Sequence, residues 1–481
     1  MDRATYWALE REFRKINKGS TVPYNVLHGS ALTALGMHDA AIELHHFALL
    51  DRPRDAESFA IMMTIMDMAP GYGVAQAQSY RREWAARFSG PRFAHHGNRP
   101  DPDRRLRVGY VSGDLRGHAA ARACGQVILN HDGFDLVAYN TLDFPEDAAS
   151  SAFRRKFGLW RDVGKLPDRD FCAVVREDGI DILVDLSGHS HGNRLRAFTM
   201  KPAPVQVTGW GYTTGTGIAA FDGMFSDPVM TPLEDRHLYA EPILDLPCVI
   251  SAYFADPLPV VSPLPAASQG FVTFGVVTRL AKITDSSLRL WARVLERIPE
   301  SILLIKAVGI NAEMVQERIF RIFGERGVEP KRLILHAGQA GWTAHMRVYQ
   351  DIDIGLDPVP HGGGTTGVEA LMMGVPTVTL RYPSVTGRLG AAIMTGAGEP
   401  GWIAETEDEY VSLAQGKCTD IRTLAALRQG LRARLRASKI GDGAAYCRAV
   451  EAHYRALWRA WCNANKGADL TSRELASSVR S

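Results

Sequence analysis

The sequence predicts an α/β protein of two Rossmann-like domains, each a parallel sheet wound on both faces by helices, behind a short α-helical region. Three observations carry this. Short apolar and β-branched runs alternate with helix-length stretches from Arg104 onward, which is the pattern of strands joined by crossover helices. The alternation stops in the proline-rich, aperiodic segment Phe254–Gln269 and restarts at Phe271, so a linker divides two sheets. Residues 1 to about 100 carry helical patterns and no convincing strand. With 481 residues, 46% hydrophobic and 22% charged, the chain has room for about three domains with cores and is neither disordered nor fibrous.

In order along the chain, residues 1–100 form the α-helical region. Leu35-Gly36-Met37-His38-Asp39-Ala40-Ala41-Ile42, running to Ala48 and stopped at Asp51-Arg52-Pro53, matches the second helix of a tetratricopeptide unit. One unit cannot bury its own faces, so it is expected to cap or dock on something larger. The pairs His45-His46 and His95-His96 read as surface histidines, because neighbouring residues do not share a helix face. The first Rossmann-like domain, 101–255, has strands at Leu106–Val111, Leu136–Asn140, Ile180–Leu186 and Val205–Trp210. The second, 256–440, has them at Phe271–Val277, Ile302–Ile305, Leu333–Leu335, Ile352–Leu356 and Thr377–Leu380. It ends in a helix with the apolar stripe Leu424, Leu427, Leu431 and Leu435, beside which Arg428, Arg432 and Arg436 read as a solvated face. A helix over 441–465 is expected to pack back on the core, before a disordered tail at 466–481.

With 55 Lys plus Arg against 53 Asp plus Glu, the net charge is +2. That gives no general attraction for nucleic acid, so an anionic ligand must be held locally. The N-terminal residues carry charge throughout, without the apolar stretch of a signal peptide, and no apolar run approaches the roughly 18 residues of a membrane span. A cytoplasmic protein is expected. Six cysteines stand far apart without a C-x-x-C, which suits reduced thiols and offers no zinc site.

The stretch from Leu356 to Leu371, LDPVPHGGGTTGVEAL, carries the chemistry. A strand ends, a glycine loop follows, and a helix starts at Thr365 and Thr366. Glycines admit close backbone approach, and the N–H groups and dipole of a helix start attract phosphate. Gly362, Gly364 and Gly367 satisfy G-x-G-x-x-G, but the next strand ends in Thr379-Leu380-Arg381 without the acidic residue of a dinucleotide site, and a Walker lysine is absent. Glu369, one step inside the helix, suits a ribose hydroxyl. Lys282 follows the first strand of the second domain, where it can neutralise a departing diphosphate, and His118 follows the first strand of the other domain as a base or acceptor contact.

With these residues the chain resembles glycosyltransferase family 41, whose members include the O-linked N-acetylglucosamine transferases. The resemblance runs from about Asp55 to Trp461. It rests on Leu106–His118, Asp178–Asp185, Lys201–Gln206, Leu280–Ile283, the Gly363–Glu369 loop and Tyr454–Trp458, with Tyr80–Trp84 as the bridge from the helices. It implies a GT-B fold with two domains facing a cleft, and an inverting transfer of N-acetylglucosamine or another hexose from a nucleotide sugar, UDP-linked, to a polypeptide. It implies no metal and no cofactor beyond that co-substrate. Asp351-Ile352-Asp353 is then a strand start and not a metal-binding D-x-D. By position, Lys282 matches the diphosphate lysine, Gly363, Gly364, Thr365 and Thr366 the phosphate loop, Glu369 the ribose ligand, His345 a contact to the base, and His118 the active-site histidine. Arg279 replaces a usual amide residue beside the donor. Ala281 and Gly364 depart from the animal enzymes, and Thr213 stands where the family has proline. A glycan or small-molecule acceptor, a nucleotide-sugar epimerase and a non-catalytic binding module are the alternatives, and the oligomeric state stays open.

Overall fold

Seven parallel strands form the first sheet: β1 (Leu106–Ser112), β2 (Phe134–Asn140), β3 (Leu159–Asp162), β4 (Ile182–Asp185), β5 (Val205–Thr208), β6 (Gly223–Ser226) and β7 (Ile243–Asp245). Their order is β3-β2-β1-β4-β5-β6-β7. The second sheet repeats the scheme with β8 (Thr273–Val277), β9 (Ile302–Lys306), β10 (Leu333–His336), β11 (Ile354–Leu356), β12 (Thr377–Leu380) and β13 (Ile403–Ala404), ordered β10-β9-β8-β11-β12-β13. The central strands β4, β5, β11 and β12 are buried along their whole length, which is why they read as continuous apolar runs. The strands that the sequence pattern missed are β3, β6, β7 and β13. β3 and β7 have no buried residue and β13 is two residues long, so these three carry no periodic signal, while β6 is a run of four buried residues that opens on a glycine.

This computed structural model describes residues 23–254, 258–338 and 341–478 with Trp7, Ala8 and Arg11, and side chains as far as Asn465. It divides into two units. One holds the described residues up to Tyr80 together with Pro228–Asp235 and Ala252–Asp442, and so joins the first helices to the second sheet. The other holds Arg81–Asp227, Arg236–Ser251 and the chain from Gly443, built on the first sheet. The helical region is therefore shared out, since the helix Val74–Phe88 passes from one unit to the other at Tyr80–Arg81. Arg81, 1% exposed, donates to Thr214 Oγ1 at 2.7 Å and Gly215 O at 3.2 Å, which fixes the loop containing the unusual Thr213.

The last helix packs on the first sheet. Tyr454 and Tyr110 share a 3.0 Å hydrogen bond, and Trp458 Nε1 donates to Asp101 O at 2.9 Å. It continues to Ser478, through the stretch read as a disordered tail, because that stretch is rich in helix formers and lacks proline. Residues 479–481 lie outside the described ones.

Two surface assignments are corrected. His45 is fully buried, 3.1 Å from the Asn25 amide, because it lies on the inner face of its helix; His46 and His95 are exposed. Arg428 is not solvated. Its guanidinium donates to Ile352 O at 2.6 Å, Ser262 O at 2.9 Å and Tyr349 O at 3.1 Å, tying the linker and the start of β11 to the helix Ile421–Ala437. No disulfide joins the six cysteines, five of which are buried. Among the described residues no helix is long and apolar enough to cross a membrane.

Arg428→Leu strands these carbonyls, and at about 1–3 kcal/mol for each unsatisfied buried group the change is expected to lower the thermal midpoint by roughly 5–10 °C. A midpoint within a degree of wild type in a melting scan would show that the carbonyls find other partners.

Candidate active site

In both sheets the strand order reverses between the first and fourth strands, and ligands of such sheets bind beyond the carboxyl ends at that point. In the second sheet the reversal lies between β8 and β11, and the segments leaving these strands carry Lys282 and the glycine loop.

The loop is organised from beneath by Asp357, the residue after β11, which is 5% exposed. Its Oδ1 accepts from Gly363 N at 2.6 Å and its Oδ2 from Thr379 Oγ1 in β12 at 2.7 Å. A Cβ at Gly363 would meet Oδ1 at 2.7 Å, and one at Gly390 would meet Oδ2 at 2.1 Å. These glycines are thus required by the carboxylate below. Burial raises the Asp357 carboxyl above its ordinary range, opposed by the hydrogen bonds from Thr379 and Gly363 and by the charge of Lys282.

Lys282 closes a short 3-10 turn, Leu280–Lys282, and is 7% exposed. Its ammonium donates to Gly362 O at 2.9 Å. Burial holds it below the ordinary lysine range and Arg279 adds to this, while Asp357 works the other way. His361 Nδ1 lies 3.0 Å from the same Gly362 O, and a carbonyl only accepts, so the proton is on Nδ1. Burial, with Lys282 and Arg279, pushes the His361 pKa far down and keeps this ring neutral. Arg279 itself is exposed at the head of the turn.

Beyond the loop the helix Thr365–Met372 starts, with Gly364 as N-cap and Thr365 and Thr366 half-buried in the first turn. Glu369, one turn in and 2% exposed, accepts from His345 Nε2 at 2.8 Å. His345 Nδ1 is 2.8 Å from Lys306 Nζ at the end of β9. An ammonium only donates, so His345 carries its proton on Nε2, towards Glu369. Trp342 stacks on the His345 ring, centroids 6.0 Å apart at 22°. Lys282 meets the glycine loop through Gly362 O, and His345 meets the helix that follows the loop through Glu369.

His118 belongs to the unit of the first sheet, beyond β1 at that sheet's own reversal point. It is the N-cap of the helix Ala119–Asn130. Its Nδ1 accepts from Ala120 N at 3.3 Å and lies equally 3.3 Å from Asp114 Oδ2. With the proton on Nδ1 the ring turns to Asp114 and Nε2 can accept a proton; with Nδ1 bare, it caps the helix and Nε2 donates.

Asp357, His361, Lys306 and Asp114 escaped the sequence reading as site residues. Asp357 stood in plain view at the strand end, and Asp114 four residues before His118. Lys306 belongs to a strand whose apolar run hides it. Asp351-Ile352-Asp353 precedes β11 instead of starting it, with Asp351 exposed at the end of a 3-10 turn, and Asp353 is structural: it accepts from Ala266 N at 2.9 Å and Thr273 N at 2.8 Å.

The family profile described as Glycosyl transferase family 41 matches residues 85–255 and 264–450. The chain belongs to glycosyltransferase family 41. A tomato relative (Solanum lycopersicum) named "Probable UDP-N-acetylglucosamine--peptide N-acetylglucosaminyltransferase SPINDLY" is 35% identical over 391 residues, covering 79% of this chain and 42% of the relative. A UDP-N-acetylglucosamine--peptide N-acetylglucosaminyltransferase of Caenorhabditis elegans is 23% identical over 473 residues, covering 74% and 41%. The chain thus spans less than half the length of these curated relatives. Among solved structures, an O-GlcNAc transferase mutant from Thermobaculum terrenum matches with a TM-score of 0.88 at 34% identity, over 96% of this chain and 88% of that one. The fold class is therefore GT-B, with its two parallel sheets.

Gly363→Ala is expected to destabilise the chain by about 1–3 kcal/mol, as overpacking does. In an Asp357→Ala background the same substitution should cost markedly less, since the clashing oxygen is gone. Melting curves of the four proteins measure this coupling, and equal costs in both backgrounds would contradict the close contact.

Proposed function

We propose that the chain is an inverting, metal-independent glycosyltransferase that moves N-acetylglucosamine or another hexose from a UDP-linked donor to a polypeptide side chain, a Ser/Thr hydroxyl or an Asn amide. The observation that carries this is the meeting of a buried lysine and a helix start on one glycine loop at the reversal point of the second sheet. The names of the family relatives support a UDP-N-acetylglucosamine donor and a peptide acceptor.

In this reading the acceptor atom attacks the anomeric carbon, the bond from that carbon to the diphosphate oxygen breaks, and the nucleoside diphosphate leaves with the electron pair. Lys282 supplies the counter-charge as negative charge builds on the leaving oxygen. Its desolvation strengthens that interaction, and its bond to Gly362 O holds it in place beforehand. Gly363, Gly364, Thr365 and Thr366 supply N–H and hydroxyl donors to the phosphates. Glu369 takes the ribose hydroxyls, and His345, oriented by Lys306 and Glu369, lies against the base. Arg279, exposed beside the turn, adds positive charge at the donor. His118 takes the acceptor proton on Nε2 when Asp114 holds the proton on Nδ1.

Lys282→Ala is expected to stay folded, with a cooperative melt, and to lose transfer by roughly 10²–10³-fold, the worth of one preorganised charge partner. Mass spectrometry of peptides and proteins incubated with UDP-N-acetylglucosamine reads this out, and a chelator in the wild-type reaction should leave the yield unchanged. Wild-type turnover by Lys282→Ala, or loss of transfer on chelation, would overturn the reading.

A further inference from the structure

We infer that the helical region is built into the donor site, with His38 and Thr386 as positioning residues that hold the two segments gripping the diphosphate. The inference rests on the donor reading above and adds to it a role for the helices other than holding an acceptor.

The turn between the helices Tyr24–Ala34 and His38–Asp51 meets the Lys282 turn directly. His38 is 3% exposed, with Nε2 2.9 Å from Ala281 O and Nδ1 3.1 Å from Gly36 O; both carbonyls only accept and a neutral ring has one N–H, so His38 donates to Ala281 O, the shorter contact, in the tautomer with its proton on Nε2. On the other side of Lys282, Ile283 O accepts from Arg318 Nη2 at 2.8 Å. That guanidinium is covered by the helical turn. At Gly36, with φ +76°, a Cβ would meet Arg318 Nη2 at 2.1 Å, so only glycine lets the turn close there. The carbonyls on both sides of Lys282 are thus held, one by the helical region and one by an arginine beneath it.

The glycine loop is held from the same region. Gly362 O accepts from Lys282, and Gly362 N donates to Thr386 O at 3.3 Å. Thr386 Oγ1, in a residue 3% exposed, donates to Asp67 O at 2.6 Å, just after the helix Ala56–Met66. A closed circuit results: His38 to Ala281, Lys282 to Gly362, Gly362 to Thr386, Thr386 to Asp67, and back through the helices. All of it lies within one unit. Such a circuit fixes the distance between ammonium and loop before donor arrives, and a positive group works on a leaving diphosphate only if it is in place without reorganisation.

The test uses the full chain with His38→Ala, Thr386→Val and His38→Gln, whose amide N–H can replace the ring donor. Melting midpoints identify variants that fold, and Thr386→Val serves if His38→Ala does not. Amide hydrogen exchange of residues 279–283 and 361–364 in the ligand-free chain should quicken in His38→Ala and Thr386→Val and return towards wild type in His38→Gln. UDP affinity by calorimetry should fall about tenfold in the first two, the worth of one hydrogen bond, and the donor KM should rise while the acceptor KM stays. Wild-type exchange in both variants would overturn the bracing whatever the donor is. Faster exchange with unchanged UDP affinity, or a rise confined to the acceptor KM, would overturn the positioning role. A wild-type chain that binds no UDP would overturn the donor reading and the role given to His38, whereas the exchange result judges the bracing by itself.

Discussion

The carboxylate of Asp357 is the constraint around which the carboxyl end of the second sheet is built. Buried beneath the glycine loop, it is held by the Thr379 hydroxyl of the neighbouring strand and by Gly363 N. Each bond lowers the cost of keeping a carboxylate away from water, and each also fixes a piece of backbone. With the loop drawn down on the carboxylate, the Gly362 carbonyl meets the Lys282 ammonium. The first sheet uses the same device. Asp185, ending β4 and fully buried, accepts from Thr208 Oγ1 of β5 at 2.7 Å and from Gly188 N at 2.9 Å. In both sheets an aspartate at the end of the fourth strand and a threonine in the fifth shape the loop at the reversal point.

The electrostatics follow from this placement. A chain with a net charge of +2 has no general attraction for an anion, so the local charges of the buried Lys282 and the exposed Arg279 beside it count for more. An ammonium that is desolvated and next to Arg279 gains more from an approaching diphosphate than a hydrated one does, because little water must be displaced. The glycine carbonyl and the distant Asp357 charge keep that ammonium in position meanwhile. The helices that meet the turn and the loop extend the same arrangement outwards, so that the placement of Lys282 against the loop involves residues far from both in sequence.

The parts legible in the sequence were those with a long or a chemically distinctive signal. β1, β5 and β12 begin at the expected residues, and the switch to a second sheet after Phe254 is clear because apolar alternation persists over many residues. The loop from Gly362 to Glu369 is legible because glycines, paired threonines and a helix start have few other uses together. Arg428 was misread because its spacing from Arg432 and Arg436 marks a face, while only the fold shows that carbonyls of the linker and of β11 converge on it. Asp357 went unnoticed because a lone aspartate after a strand has many structural uses, and its partner Thr379 is 22 residues away. The bracing by His38 joins residues 243 apart, a pairing that no local pattern encodes.

The central claim is that Lys282 and the helix start at Thr365 form one diphosphate cradle, and a structure of the chain with UDP tests it most directly. The account predicts the diphosphate above the glycine loop, with Lys282 Nζ and the N–H groups of Thr365 and Thr366 on its oxygens and the ribose at Glu369. UDP bound elsewhere, or a diphosphate that Lys282 does not touch, would contradict it.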